Sequence, residues 1–311
     1  LLSALQIEIW EGAEGERLVF HGEYSSEEAD SMTALLLRPH LWDGMRDPYV
    51  YLVKAQGRFR SVEYGEKMGG MEKEEKLDPA EDITGEVEMY WRQELTIYDV
   101  RVVEKKGILL NEKEFLPHEV VYRLPPQISD AGTRVEQVRR DLERLVQMGV
   151  NVIRLEGTGT GAEGVNCSEV RTFYSLCRKR GFLTGDLWIR PENLPVYRGL
   201  PGETTCQALL AADGRTLTER YYYYQAKWSS EPVLYPVLST LHRQENGLLS
   251  LTIYSNQKKV VLYVDGVLFL FQSAASGDPE FIFEDIPVAK LPLHLAVEAG
   301  NLSISLTVSK I

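Results

Sequence analysis

Along the first hundred positions apolar and polar residues alternate in short runs: LQIEIW, ERLVF, TALLLRP, PYVYLVKA, RFRSVEY, EVEMYW and ELTIYDVRVVE. Gly, Pro and acidic turns separate them, and period-two alternation at that spacing predicts an antiparallel β-sandwich. The stretch MGGMEKEEKLDPAED (68–82) interrupts the pattern; dense in charge and poor in apolar residues, it reads as a solvated loop. From Thr133 the period lengthens. Val135, Val138, Leu142, Leu145, Val146 and Met148 follow helical spacing, which predicts a helix stopped by Gly149. VNVIRL (150–155) reads as a buried strand, SEVRTFYSLCRKRG as a second helix starting at the cap-like Ser168, and FLTGDLW as another short strand. That αβαβ order implies parallel strands joined by a crossover helix.

From Tyr221 onward alternation returns, in PVLYPVLST, LLSLTIYS, KKVVLYVDGVLFLF, FIFEDIPV, LPLHLAVEAG and LSISLTVSKI, with Asp265-Gly266 as a hairpin signal. If YYYYQAKW (221–228) is extended, Tyr221 and Tyr223 face one way and Tyr222 and Tyr224 the other. The expected fold is mostly β with a small α/β segment between two sandwiches.

Charge narrows the function classes. The 311 residues carry a net charge of -12, and without clustered Lys and Arg a role that depends on neutralising phosphates is excluded, so neither nucleic acid nor an anionic membrane is an expected partner. No apolar run approaches the ~20 residues of a spanning helix, and LLSALQIEIWEG lacks the basic start and small-residue cleavage site of a signal peptide. A soluble, cytoplasmic protein is the expectation, although a chain that begins without Met reads equally as a piece of something longer. Cys167, Cys177 and Cys206 make neither an even disulfide set nor a C-x-x-C pair and are expected to be reduced. His21, His40, His118, His242 and His294 are scattered without ligand or triad spacing, so no metal, serine-type site or cofactor is expected.

One motif points elsewhere. In GTGTGAEG, Gly159, Gly161 and Gly164 have the G-x-G-x-x-G spacing, follow a strand, precede a helix, and Asp186 closes the next strand 22 positions later. Those are contexts of a dinucleotide-binding turn. Against this, Arg154, Leu155 and Glu156 prolong the strand and set a carboxylate where a pyrophosphate would sit. Two parallel strands also make too small a sheet for two mononucleotide halves, so a glycine-rich βα loop is the preferred reading and dinucleotide binding the alternative.

HLWDGMRDPYVYLV (40–53) resembles the L-W-x-G-x-x-D-P-Y-L-Y segment of glycoside hydrolase family 2, the β-galactosidase and β-glucuronidase relatives. YDVRVVEKKGILLNEKEFLP resembles that family's entry into the first strand of its catalytic barrel. LERLVQMGVNVIRLEG resembles the helix and second strand, FYSLCRKRGFLTGD the following helix and strand, and AADGRTLTERYYYYQAKWSSEPVLY the exit into a C-terminal sandwich, where VVLYVDGVLF matches a further segment. The resemblance implies an immunoglobulin-like sandwich over 1–106, a shrunken (β/α) barrel remnant over 107–217 and a second immunoglobulin-like sandwich over 218–311. It places the glycines in the loop after the second barrel strand, facing the catalytic end.

It also implies what is gone. A retaining glycosidase needs two carboxylates about 5–5.5 Å apart, which the family draws from glutamates after its fourth and seventh barrel strands. Here only residues 187–210 separate Asp186, at the end of the third strand element, from Ala211, at the barrel exit. The family's V-N-R-H-E becomes VVYRL (120–124), so its His and Glu are Arg123 and Leu124; Arg154 is kept, the next family His falls on Gly157, and a D-E pair becomes Asp186-Leu187. Glu156, Asp186 and Glu119 are the carboxylates near strand ends that could have been recruited as an acid and base pair. Arg154, Glu156, Asp186 and Trp188 are the candidate ligand-binding residues. The expected function is non-catalytic, binding carbohydrate or serving as a structural partner, with an active β-galactosidase-like glycosidase as the alternative. Exposed parallel strand edges call for cover by the flanking sandwiches, a second copy of the chain or an active glycosidase partner.

Overall fold

The computed structural model describes residues 2–25, 33–60, 86–125, 131–156, 167–185, 194–199, 208–275 and 277–310. They form two compact units, Leu1–Phe115 and Leu116–Ile311. As the sequence leads one to expect, the protein is mostly β with a small α/β segment between antiparallel sheets.

In the first unit β1 (Leu2–Glu11), β2 (Arg17–Ser25), β3 (Tyr51–Arg60) and β4 (Glu86–Leu95) form an antiparallel sheet in the order β2-β1-β3-β4. Cross-strand register aligns Ile7 with Ala55 and Ala55 with Trp91, and likewise Ile9 with Val53. The alternating pattern thus collects the apolar side chains on one face and Gln6, Glu8, Lys54 and Arg92 on the other. A second sheet joins β5 (Val100–Val103), β6 (Gly107–Leu110) and β7 (Lys113–Phe115). Trp42 is buried against Tyr98, 5.3 Å between rings, and Asn111 ties it down by donating from Nδ2 to the Trp42 carbonyl at 2.8 Å. The run TALLLRP is not a strand: residues 33–39 are irregular and leave Leu35 and Leu37 exposed, and no strand among the described residues pairs with them. The charged stretch 68–82 lies outside the described residues.

The second unit opens with β8 (Glu119–Tyr122), α1 (Ala131–Met148), β9 (Val152–Leu155), α2 (Cys167–Arg180) and β10 (Leu183–Thr184). Two more short strands follow, β11 (Val196–Arg198) and β12 (Ala208–Leu210), and all five are parallel in the order β10-β9-β8-β11-β12. The expectation of a two-strand sheet is therefore corrected to five. Strands of three residues between glycine-rich and proline-rich stretches carry no readable alternation. Val138, Leu142, Leu145 and Met148 of α1 and Phe173 and Cys177 of α2 bury against Val120, Tyr122, Ile153 and Leu155 of the sheet. Gly149 ends α1 at φ +86: its N–H donates to the Val146 carbonyl at 2.9 Å and Val150 to that of Leu145 at 3.0 Å, a left-handed cap that favours glycine.

YYYYQAKW is not extended. Together with Glu219 and Arg220 it forms α3 (Glu219–Trp228), whose four consecutive tyrosines fan around the helix. Tyr221 is buried and donates its hydroxyl to the Arg144 carbonyl of α1 at 2.7 Å, while Tyr222 stacks on Tyr235 at 3.8 Å. All three helices pack on the same face of the parallel sheet, since the one core cluster holds residues of each.

The C-terminal sandwich follows. β13 (Leu234–Arg243), β14 (Leu249–Ser255) and β17 (Glu280–Ile286) make one sheet; β15 (Lys259–Val264), β16 (Val267–Ser273), β18 (Leu293–Ala299) and β19 (Leu302–Val308) make the other. Leu251, Ile253, Phe281 and Phe283 from the first meet Leu262, Leu295 and Val297 from the second, all fully buried. Asp265 and Gly266, both at positive φ (46 and 81), close the β15–β16 hairpin as a turn of the primed type. Among the described residues no helix is long and apolar enough to cross a membrane.

Candidate functional site

Barrel-type chemistry sits at the carboxyl ends of parallel strands, so the ends of β8, β9 and β11 are the place to look. Arg123, the residue after β8, and Glu156, the residue after β9, meet there in a two-pronged ion pair. Glu156 stays in register because its N–H donates to the Tyr122 carbonyl at 2.9 Å. Arg123 also reaches across to the Arg198 carbonyl at the end of β11, 3.3 Å away. Glu156 thus serves as the counter-ion of an arginine.

Arg154 points to the same face but binds downward. Its Nε and Nη2 both lie 2.9 Å from Oε1 of Glu119, whose side chain is wholly buried at the amino end of β8. Removing Arg154 would take an ion-pair partner from the buried Glu119 carboxylate. Glu119 stands opposite Val152, four residues before Glu156, which separates the two backbones by roughly 13 Å along the strands at ~3.3 Å per residue. Each of the two carboxylates is held by a different arginine, Glu119 by Arg154 and Glu156 by Arg123. Asp186 and Trp188, and the glycines 159, 161 and 164, lie outside the described residues.

The strongest polar cluster of the α/β segment is one that sequence reading missed. Asp141 of α1, 1% exposed, accepts hydrogen bonds from the hydroxyls of Tyr122 at 2.9 Å and Tyr197 at 3.0 Å and from Nη2 of Arg198 at 2.7 Å. Burial, reinforced by the Asp141 charge, holds both tyrosine hydroxyls well above their ordinary pKa, so they remain donors at neutral pH. The signal was in the helix itself: Asp141 falls three residues after Val138 and four before Leu145, on the stripe that packs inward. Sealed from solvent, this hub ties α1 to β8 and β11 and has no access to a substrate.

Strand order bears on the glycine motif. Starting from β8, the sheet proceeds to β9 and β10 on one side, then to β11 and β12 on the other, so the crevice at the switch point lies between β8 and β11. A dinucleotide fingerprint belongs after the first strand beside that crevice, whereas Gly159, Gly161 and Gly164 follow β9, one strand away. Among the described residues the helices lie on one face of the sheet, whereas a doubly wound sheet carries helices on both.

No family model and no curated protein sequence matches the chain. Solved structures do match its fold. An FMN-binding β-glucuronidase from Facaelibacterium prausnitzii L2-6 superposes with a TM-score of 0.60 at 14% identity, over 99% of this chain and 69% of that one. A β-glycosidase from Bacteroides vulgatus gives 0.64 at 11% identity over 99% and 61%, and Bacteroides uniformis β-glucuronidase 3 gives 0.59 at 12% identity over 99% and 59%. The chain therefore has a glycosidase-like fold, and spans about three-fifths of the length of the latter two structures.

Proposed function

We propose that this protein is a non-catalytic, family 2-like relative of the glycosidases that acts by binding carbohydrate. The supporting observation is the fate of the carboxylates at the strand ends: Glu156 is paired with Arg123, and Glu119 is buried beneath Arg154. An acid and nucleophile pair needs two carboxylates that can reach the same glycosidic bond; here each is engaged by a different arginine.

On this reading the parallel sheet is the remainder of a barrel, bounded by sandwiches over 1–106 and 218–311. The order β10-β9-β8 and the single layer of helices among the described residues support it. The other flank departs from it, because a barrel's last strand lies beside its first and its next-to-last lies beyond, whereas here the later strand β12 is the outer one. Simple deletion does not produce that order, so the segment has been rebuilt as an open sheet. Its edges are best covered by a second copy of the chain or an active glycosidase partner.

Aryl β-galactoside, β-glucuronide and β-mannoside substrates test the proposal. No release above buffer is expected. Turnover that disappears in Glu156→Gln or Asp186→Asn would establish recruited catalysis instead. The dinucleotide alternative predicts that NAD raises the melting temperature and that Gly161→Val abolishes the rise; no rise is expected.

A further inference from the structure

We propose that the groove between α3 and the outer face of the β13-β14-β17 sheet binds a neutral oligosaccharide, a site that gives the carbohydrate-binding reading above a location.

Strand register builds one wall. Tyr235 stands opposite Tyr254, and Tyr254 opposite Glu280, so the three side chains form a row across the sheet while their neighbours Ile253 and Phe281 point into the sandwich core. Helix α3 supplies the other wall. Its Tyr223 meets the Tyr254 ring edge-on at 5.5 Å, and Arg220, one turn before Tyr224, lies 5.5 Å from the Tyr224 ring. The groove between them measures about 650 Å³.

Its polar groups are held ready. Glu219 is fixed by Ser239, whose N–H donates to Oε1 at 3.1 Å and whose hydroxyl donates to Oε2 at 2.6 Å, leaving further lone pairs on both oxygens. The Glu280 carboxylate has no hydrogen bond or ion pair among the described residues, and its partial desolvation, with the nearby charge of Asp278, raises its pKa. The Tyr254 hydroxyl is pushed up to about 12 by burial and by the charges of Glu280 and Glu219, so it donates at neutral pH.

A pyranose has an apolar C–H face and a rim of hydroxyls. Tyrosine rings match the first and carboxylates accept from the second. The lining carboxylates Glu219 and Glu280, with Asp278 beside them, outnumber by one the cations Arg220 and Lys227, whose ammonium lies 5.7 Å from the Tyr223 ring; the net negative balance disfavours uronates, sulfated sugars and phosphates.

The test uses the full chain, titrated with β-1,4-linked tetraoses of mannose, glucose and galactose, with tetragalacturonate and with FMN, and read by isothermal calorimetry. At least one neutral tetraose is expected to saturate, with tetragalacturonate bound at least about tenfold more weakly. Tyr223→Ala and Tyr254→Ala should each weaken the neutral ligand about three- to tenfold, from the worth of an aromatic contact. Glu280→Gln, an isosteric change on an exposed residue, should narrow the gap between neutral and acidic tetraoses. Failure of every neutral tetraose to bind, preference for tetragalacturonate or FMN, or unchanged affinity in both alanine variants would overturn the site. Aryl-glycoside turnover, measured on the same preparation, tests the non-catalytic reading separately: turnover with Tyr223-dependent binding would remove that reading and keep the groove.

Discussion

The four-stranded sheet of the first unit and the sandwich of the second are written in the same alternating code, yet they bury very different amounts of it. In the sandwich the inward residues of β14, β15, β17 and β18 are sealed between two sheets. In the first unit the equivalent face of β4 leaves Val87 at 55%, Met89 at 59% and Trp91 at 47% exposure. Alternation therefore announces a face that can be buried; whether it is buried depends on a second layer that a strand's own sequence does not describe. The same side-chain types should consequently differ several-fold in their contribution to stability.

The largest difference should come from paired truncations. Phe283→Ala, deep in the sandwich, is expected to cost about 3–5 kcal/mol, against no more than about 0.5 kcal/mol for Met89→Ala on the exposed face; urea denaturation measures both. Equal losses would mean that the β4 face is covered in solution. In the α/β segment Asp141→Ala should cost about 3–5 kcal/mol, because Arg198 is left buried without its counter-charge, whereas Glu156→Ala, which removes the exposed partner of the Arg123 pair, should cost under about 1 kcal/mol.

Gly149→Ala follows. An added Cβ would collide with the Trp228 carbonyl oxygen and lie 2.9 Å from the Ser229 nitrogen, backbone atoms that cannot rotate away, at a residue already on positive φ. A loss above the ~1–2 kcal/mol of left-handed strain alone is expected, against about that strain alone for Gly266→Ala in the open hairpin turn; differential melting separates them.

The smallest effect concerns pH. Burial lowers the pKa of His118, partly offset by its hydrogen bond to the Gly149 carbonyl at 2.8 Å. The folded protein then binds this proton less readily than the unfolded chain. Its contribution is fully present above the unfolded value of ~6.5 and is lost as pH falls from there through the lowered folded value. His118→Phe, which keeps the ring stacked on Trp228 at 5.2 Å, should flatten the decline in melting temperature between about pH 7 and 5.

How much could be read in advance follows from length and pairing. The long strands of the sandwich, the Asp265-Gly266 turn and the inward stripe of α1 were legible because each repeats a signal over several residues or sits on a turn with strict backbone needs. TALLLRP failed because an apolar run becomes a strand only beside a partner. YYYYQAKW failed because tyrosine favours strands while the preceding Thr-Glu opens a helix; tertiary contacts of Tyr221 and Tyr222 decide the matter. Strands β11 and β12 are too short to show a period. At the site, Glu156 and Arg154 were found by position, but their partners Arg123 and Glu119 belong to a neighbouring strand, which no local pattern reveals.

Helix α3 has one further consequence, for cooperativity. Its Tyr221 and Trp228 pack with the α/β core, Tyr223 packs on the sandwich, and Tyr222 touches both. A helix of ten residues is marginal on its own, so it is ordered only while both neighbours are. Melting of either neighbour frees the helix and strips a surface from the other, so residues 116–311 should unfold in a single transition, with α3 as the element that transmits failure from one half to the other.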